Sequence, residues 1–415
     1  MRLRFPLVLS CALLLAACAP APQRTSTVRS RDVDPLILIS FDGFRADYLD
    51  RRLTPTLAAL AVDGVRAEAM KPAFPTLTFP NHYTLVTGLY PDHHGIVNNR
   101  MTDPVSGAHF VYNDPQTIAD PAWWGGEPLW VSVEKQGRHA ATMFWPGSNV
   151  AIGGVRPSQW LPFNGKMTPQ QRVDQLLQWI DRPPAQRPIF CTLYFEQVDH
   201  AGHEQGPDSR EVDAALRDVD DALAHLVDGL QQRHLFEHTN LVLVADHGMT
   251  ATAHDRVIYL DDLIDLDDVD VVNYGILTGI NPNQGRSAAV AATLLAAHAP
   301  MHCWRKSEVP ARLHYGKSAR VPALLCLADD GWIITSHAQA ATRTHFSLGE
   351  HGYDNDDPAM RALFVAHGPA FKQGLVVPEF DNVDVYPLLA HLLRIKPRPN
   401  DGDFRVVAPM LRKAH

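Results

Sequence analysis

Leu36–Arg45 reads LILISFDGFR, an apolar run broken by a single serine and closed by Asp42 and Gly43. A short run without polar alternation suits a strand buried on both faces of a parallel sheet. The pattern recurs twice. PIFCTLYFEQV (188–198) leads to Asp199, and NLVLVA (240–245) leads to Asp246. Helical patterns lie around and between these runs: LTPTLAALAVDG (53–64), TPQQRVDQLLQWI (168–180) and SREVDAALRDVDDALAHLVDGL (209–230). Strand–helix alternation predicts an α/β sandwich, with a mostly parallel central sheet flanked by helices. Ligands of such sheets gather beyond the carboxyl ends of strands, where each of the three runs delivers an aspartate.

At 46% hydrophobic and 20% charged, the 415 residues can bury a large core. Length alone fits about two to three domains, or one large α/β domain carrying an insertion. Residues 254–345 have the texture of that insertion. VDVVNYGILTGINP, SAAVAATLLAAHA, MHCWRKSEV and PALLCLADDGWIIT read as β-α-β-β, a small α+β unit. The formal charge of -9 argues against a nucleic-acid scaffold as partner, because phosphate binding on that scale needs basic patches. A small anionic substrate is still allowed where cations sit in the site.

The first 18 residues, MRLRFPLVLSCALLLAAC, combine a basic start, an apolar stretch and small residues before Cys18. Residues 1–17 read as an export signal, too short to span a membrane. Leu15-Ala16-Ala17-Cys18 resembles a bacterial lipobox, which would make Cys18 a lipid anchor; the alternative is cleavage at an Ala-x-Ala-like site near Ala19–Ala21. Residues 18–34 form a tether, 35–400 the catalytic domain and 401–415 a C-terminal tail. The expected location is the periplasm, and a monomer is expected. An exported chain permits disulfides. Cys303 and Cys326 lie close enough in sequence to pair, whereas Cys191 sits in an apolar strand and reads as buried and inert. With no Cys-x-x-Cys, thiolate-bound zinc is disfavoured.

Five motifs carry the chemistry: SFDGFR (40–45), PTLTFPNH (75–82), VDHAGH (198–203), VADHGM (244–249) and GEHGYDN (349–355). Singly, each Asp or His has an ordinary reading as a turn or cap residue. Together, Asp42, Asp199, His203, Asp246, His247 and His351 form a carboxylate–imidazole set that suits catalytic zinc. Asp199, His203 and His351 would hold one ion; Asp42, Asp246 and His247 would hold the other. PNHYTLVTG (80–88) reads as a short helix with Pro80 in its first turn and Gly88 at its end. Thr78 precedes it, either as a simple N-cap or as a hydroxyl nucleophile that a metal activates near the helix start.

With these motifs in this order, the chain resembles the nucleotide pyrophosphatase/phosphodiesterase family of the alkaline phosphatase superfamily, particularly its bacterial periplasmic members. The resemblance covers about residues 35–400 and includes WPGS (145–148), RLHYG (312–316) and DNVDVYPLLAHLLRIKP near the C-terminus. It implies an alkaline-phosphatase-like fold, two Zn2+ ions on the six ligands above, and Thr78 as covalent nucleophile bridging toward the second metal. It also implies that Asn99 holds a non-bridging phosphate oxygen, and that Phe79 and an aromatic near Phe163 sandwich a nucleotide base. Trp160 and Phe163, in PSQWLPF (157–163), read as base-side residues or as core. The expected substrates are nucleotides (ATP, dinucleotides or nucleotide esters), cleaved to nucleoside 5′-monophosphates. The rival within the same metal chemistry is a choline-phospholipid or glycerophosphodiester phosphodiesterase. A sulfatase is disfavoured because no Cys/Ser-x-Pro-x-Arg motif is present.

Overall fold

Leu36–Phe41 is a strand, and all six of its residues are buried. In the computed structural model, which describes residues 33–296, 298–342 and 345–413, this strand lies inside an eight-stranded sheet. The order is Leu375–Val377, Val65–Ala67, Phe364–His367, Asn240–Val244, Leu36–Phe41, Pro188–Phe195, His139–Met143, Gln159–Leu161. Phe364–His367 runs antiparallel to both neighbours, and the remaining pairings are parallel. The signal segment, Cys18 and all but the last two residues of the tether lie outside the described residues.

Register places the site. Phe41 pairs with Phe195, and Ser40 with Val244, so the three central strands finish level. Extending the second pairing by two residues sets Asp42 beside Asp246. The run 188–198 departs from the expectation of a strand reaching Asp199. The strand stops at Phe195, where Glu196 turns out of the sheet to pair with the buried Arg172, Oε1 to Nη2 2.7 Å. Gln197–Gln205 is then a helix, with Asp199 in its first turn and His203 one turn later.

The long helix Arg210–Gln232 buries one stripe, Val212, Leu216, Val219, Leu223, Leu226 and Leu230, at helical spacing. Ser209 caps it, its hydroxyl accepting from the Val212 N–H. Asp220 faces the neighbouring helix Pro55–Val62, whose N-cap Thr54 makes no side-chain bond of its own. The Thr56 and Leu57 N–H groups donate to the Asp220 carboxylate instead, at 3.0 and 2.9 Å. Asp220→Ala therefore strips an acceptor from a buried helix start. A loss of about 1–2 kcal/mol is expected, read as a lower urea midpoint at unchanged slope.

Within 254–345, four antiparallel strands run in the order Val269–Asn273, Leu277–Pro282, Leu324–Ala328, Met301–Arg305, and Ser287–Leu294 is a helix. The stretch VDVVNYGILTGINP, expected as one strand, is two. It reverses at Tyr274–Ile276, where Gly275 takes a φ of +125° that other residues resist. Cys303 and Cys326 sit opposite each other on adjacent strands and form a disulfide, while Cys191 is free and buried. The segment expected as a tail packs onto the domain through Val407 and Met410, both fully buried.

Candidate active site and metal centre

The helix that presents Thr78 starts earlier than Pro80. It spans Thr78–Thr87, with Leu77 extended at the N-cap and Gly88 left-handed at the C-cap. Leu77 offers no capping side chain. Asn81 braces the turn that enters the helix, donating from its amide to the Pro75 and Leu77 carbonyls. Thr78 is thus the first helical residue rather than the cap, and its hydroxyl is free for other partners. Its Oγ1 lies 3.2 Å from His247 Nε2. The N–H groups of a first helical turn have no intrahelical acceptors, and the Phe79 N–H donates to Asn99 Oδ1 at 3.0 Å. That bond fixes the Asn99 amide with its NH2 group as the remaining donor.

Asp42 and Asp246 follow their strands into the interior, at 1% and 0% exposure. Gly43 allows the approach. It adopts φ +69°, and an added Cβ would stand 2.9 Å from the Asp199 Cα. The carboxylates are half satisfied. Asp42 Oδ2 accepts from the Tyr194 hydroxyl at 2.6 Å, and Asp246 Oδ1 from the Gly43 N–H at 3.2 Å. Asp42 Oδ1, Asp246 Oδ2 and Asp199 Oδ1 have no hydrogen-bond partner although all are buried. Burial, with Asp246 and Asp199 alongside, pushes the Asp42 carboxyl well above the usual carboxylate range.

The three imidazoles share one arrangement. His247 Nδ1 donates to the Gly248 carbonyl at 2.9 Å, His203 Nδ1 to Gly349 at 2.8 Å, and His351 Nδ1 to Thr76 at 2.8 Å. Each ring therefore turns its Nε2 lone pair inward. His247 Nε2 stands 2.9 Å from Asp246 Oδ2 and 3.4 Å from Asp42 Oδ1. His203 and His351 Nε2 stand 3.5 and 3.6 Å from Asp199 Oδ1. Lone pairs facing orphaned carboxylate oxygens repel one another unless a cation lies between them. Backbone carbonyls fixing the outer ring nitrogens are the usual support of imidazole metal ligands. The donor set therefore fits divalent metal. Two groups have ligand atoms within 4.8 Å of one another, Asp42–Asp246–His247 and Asp199–His247–His351. His247 belongs to both, and His203 joins the second through Asp199.

A cavity of about 310 Å3 opens from this centre, lined by Thr78, Phe79, Tyr112, Leu161, Phe163 and Tyr194 among others. Phe163 is 60% exposed, unusual for its type and consistent with a surface that meets a ligand. Trp160 does not line this cavity. Side chains alternate along the strand Gln159–Leu161, so Leu161 faces the cavity and Trp160 packs away from it, under the Arg156 guanidinium. The sequence reading missed Tyr112 and Tyr194. Tyr194 reads as one more apolar strand residue, and Tyr112 sits in a polar loop with no motif around it. A second cleft, of about 470 Å3, adjoins His203 and His351 on the other side and is lined by Arg100, Glu204, Tyr274 and Glu350 among others.

Residues 36–354 match the family described as type I phosphodiesterase/nucleotide pyrophosphatase, a span holding every candidate ligand from Asp42 to His351. The chain belongs to this family. It is similar to an uncharacterized pyrophosphatase/phosphodiesterase of Schizosaccharomyces pombe, 38% identical over 91% of this chain and 80% of that protein. It is also similar to ectonucleotide pyrophosphatase/phosphodiesterase family member 3 of Rattus norvegicus, 38% identical over 93% of this chain but 45% of the rat protein. The chain thus spans less than half the length of that relative. Among solved structures, murine ectonucleotide pyrophosphatase/phosphodiesterase 5, in an inactive form in complex with AMP, aligns with a TM-score of 0.87 and 35% identity. The alignment covers 91% of this chain and 100% of the murine one. This phosphodiesterase-family chain therefore has the alkaline-phosphatase-like fold and is an enzyme of the nucleotide pyrophosphatase/phosphodiesterase class.

Proposed function

We propose that the protein hydrolyses phosphodiester or pyrophosphate bonds of nucleotides, releasing nucleoside 5′-monophosphates through a phosphothreonine at Thr78, with two zinc ions as cofactor. The observation that carries this reading is the position of the Thr78 hydroxyl. It stands at a helix start, 3.2 Å from Nε2 of His247, the residue common to both ligand groups, and it lines an aromatic cavity. Bound cations, held by Asp42, Asp246 and His247 and by Asp199, His203 and His351, would lower the pKa of the Thr78 hydroxyl and draw charge from the reacting oxygens. Nitrogen and oxygen ligands without thiolate suit zinc.

Thr78 Oγ gives up its proton to solvent and forms the new P–O bond as the bond to the leaving oxygen breaks in line with it, the leaving group departing as an alcohol or a phosphate. The Thr78 N–H and the Asn99 NH2 group would meet charge on the equatorial oxygens. Water then attacks the same phosphorus, frees Thr78 and releases the monophosphate. The cavity beyond Phe79 suits a planar base, held between Phe79 and Phe163. The second cleft suits the departing group. Phe163→Ala should raise KM for nucleotide esters about tenfold with kcat little changed, because it removes one stacking face and leaves the reacting atoms untouched. An equal loss in kcat would place Phe163 in the chemistry instead.

Diesters are favoured over monoesters. A monoester brings an extra negative charge, and no Lys or Arg is among the described residues lining the cavity beside Thr78. The test is a hydrolysis panel of ATP, a nucleotide 4-nitrophenyl ester, glycerophosphocholine and 4-nitrophenyl phosphate. Nucleotide esters should be cleaved fastest. Faster cleavage of glycerophosphocholine would overturn the substrate class, and comparable monoester cleavage the diester preference. The N-terminal sequence supports export to the periplasm with anchoring at Cys18, and mass spectrometry of the mature chain would show whether Cys18 carries lipid.

A further inference from the structure

His82 closes the TFPNH motif and belongs to neither ligand group, yet it is wholly buried at the junction of four elements of the site. It lies one helical turn after Thr78. Its Nδ1 is 2.9 Å from the Thr78 carbonyl and 3.3 Å from Asp246 Oδ2. Its Nε2 is 2.9 Å from Ser40 Oγ, two residues before Asp42 on the central strand. The ring edges meet Trp145, whose indole N–H donates to the His82 carbonyl at 3.0 Å, and Tyr194, whose hydroxyl holds Asp42.

The partners fix the proton. Thr78 O and Asp246 Oδ2 are both acceptors, so Nδ1 carries the hydrogen, and Nε2 is paired with the Ser40 hydroxyl. We infer that His82 is a positioning residue: one ring ties the nucleophile's backbone to a carboxylate of the Asp42–Asp246–His247 group and so sets the spacing between Thr78 and that ligand group. The side chain curls back onto the first turn of its own helix, which fixes the direction of the Thr78 Cα–Cβ bond. The same N–H gives Asp246 Oδ2 a long, weak contact. That contact orients the oxygen without occupying it.

The distinction from plain core packing lies in which atoms matter. An asparagine at 82 can place an N–H near the Nδ1 position, whereas a glutamine reaches the Nε2 position and loses the bond to Thr78. His82→Ala is expected to lower kcat about a hundredfold with KM within threefold, since sub-ångström misplacement of a reacting group costs rate rather than binding. It should also weaken zinc about ten- to a hundredfold, as loss of an outer-shell partner does. His82→Asn should recover at least tenfold of the lost kcat, and His82→Gln should not.

The experiment measures kcat and KM with a nucleotide 4-nitrophenyl ester, zinc dissociation by competition with a chromogenic chelator, and the melting temperature of each metal-free variant. The inference rests on the nucleotide reading only through the choice of ester. The zinc arm uses no substrate, so failure of the ester as a substrate is separable from failure of the positioning role. A folded His82→Ala protein with kcat and zinc affinity within threefold of the parent overturns it. So do losses that follow melting temperature alike in Ala, Asn and Gln. Should His82→Ala not fold, the comparison of Asn with Gln decides, supported by Ser40→Ala. Equal turnover of the Asn and Gln variants overturns the inference.

Discussion

Thr78→Ala is expected to lower kcat for nucleotide diesters by about 10,000-fold or more while the protein stays folded and keeps its metal, as loss of a covalent nucleophile does elsewhere. The size follows from what the side chain alone supplies. Its Oγ1 is the hydroxyl placed 3.2 Å from His247 Nε2 at the helix start. A water standing in for it has no bond to the first helical turn and loses the orientation that Thr78 provides. Stability should change little. Leu77, not Thr78, is the N-cap, so no capping bond is lost. Metal content measured beside turnover separates the possibilities: an inactive variant with full metal places Thr78 in the chemistry, whereas an inactive variant without metal makes it a ligand first.

Removal of divalent cations by a chelator should abolish turnover, by more than about 1,000-fold, and zinc should restore it better than magnesium. Stability should fall in the same experiment. Without a cation, Asp42, Asp246 and Asp199 each keep a buried oxygen with no hydrogen bond, and burial beside the other two acids holds the Asp42 carboxyl well above the usual carboxylate range. A ligand present at a thousand times its Kd stabilises a fold by about 4 kcal/mol, so the melting temperature of the chelated protein should drop and recover with zinc. Asp42→Asn should act in the same direction on zinc affinity. Magnesium restoring full activity would favour an oxygen-rich centre, at odds with three imidazoles turned inward on backbone carbonyls.

The central strands were legible because continuous apolar runs have few other uses, and Leu36–Phe41 forms over the span its sequence indicates. The helix Arg210–Gln232 was equally plain, since its apolar stripe repeats over many turns. Errors arose where tertiary contacts override local pattern. The 188–198 run reads as one strand leading to Asp199, yet the Arg172–Glu196 pair ends the strand at Phe195 and puts Asp199 on a helix. The Tyr274–Ile276 reversal depends on one glycine in a stretch that otherwise reads as strand. At the site, the acids and imidazoles were legible as types in an order. Their half-satisfied oxygens and shared ring orientation were not, because most of the groups that fix them are distant in the chain, such as the Tyr194 hydroxyl for Asp42 and the Thr76 carbonyl for His351. Trp160 shows the limit of composition: an aromatic beside Phe163 in sequence faces the other way once the strand alternates.

The account stands most directly on a covalent intermediate. A nucleotide ester labelled in its nucleoside, mixed with enzyme and quenched in acid within the first turnover, should leave the label on the peptide that contains Thr78. Fragmentation should place a nucleoside phosphate on that hydroxyl. Label on Thr78 at a level that forms and decays as fast as turnover is the predicted result. Full turnover with no label on any Thr78 peptide, in a protein that retains its metal, would contradict the account and point to direct attack by water.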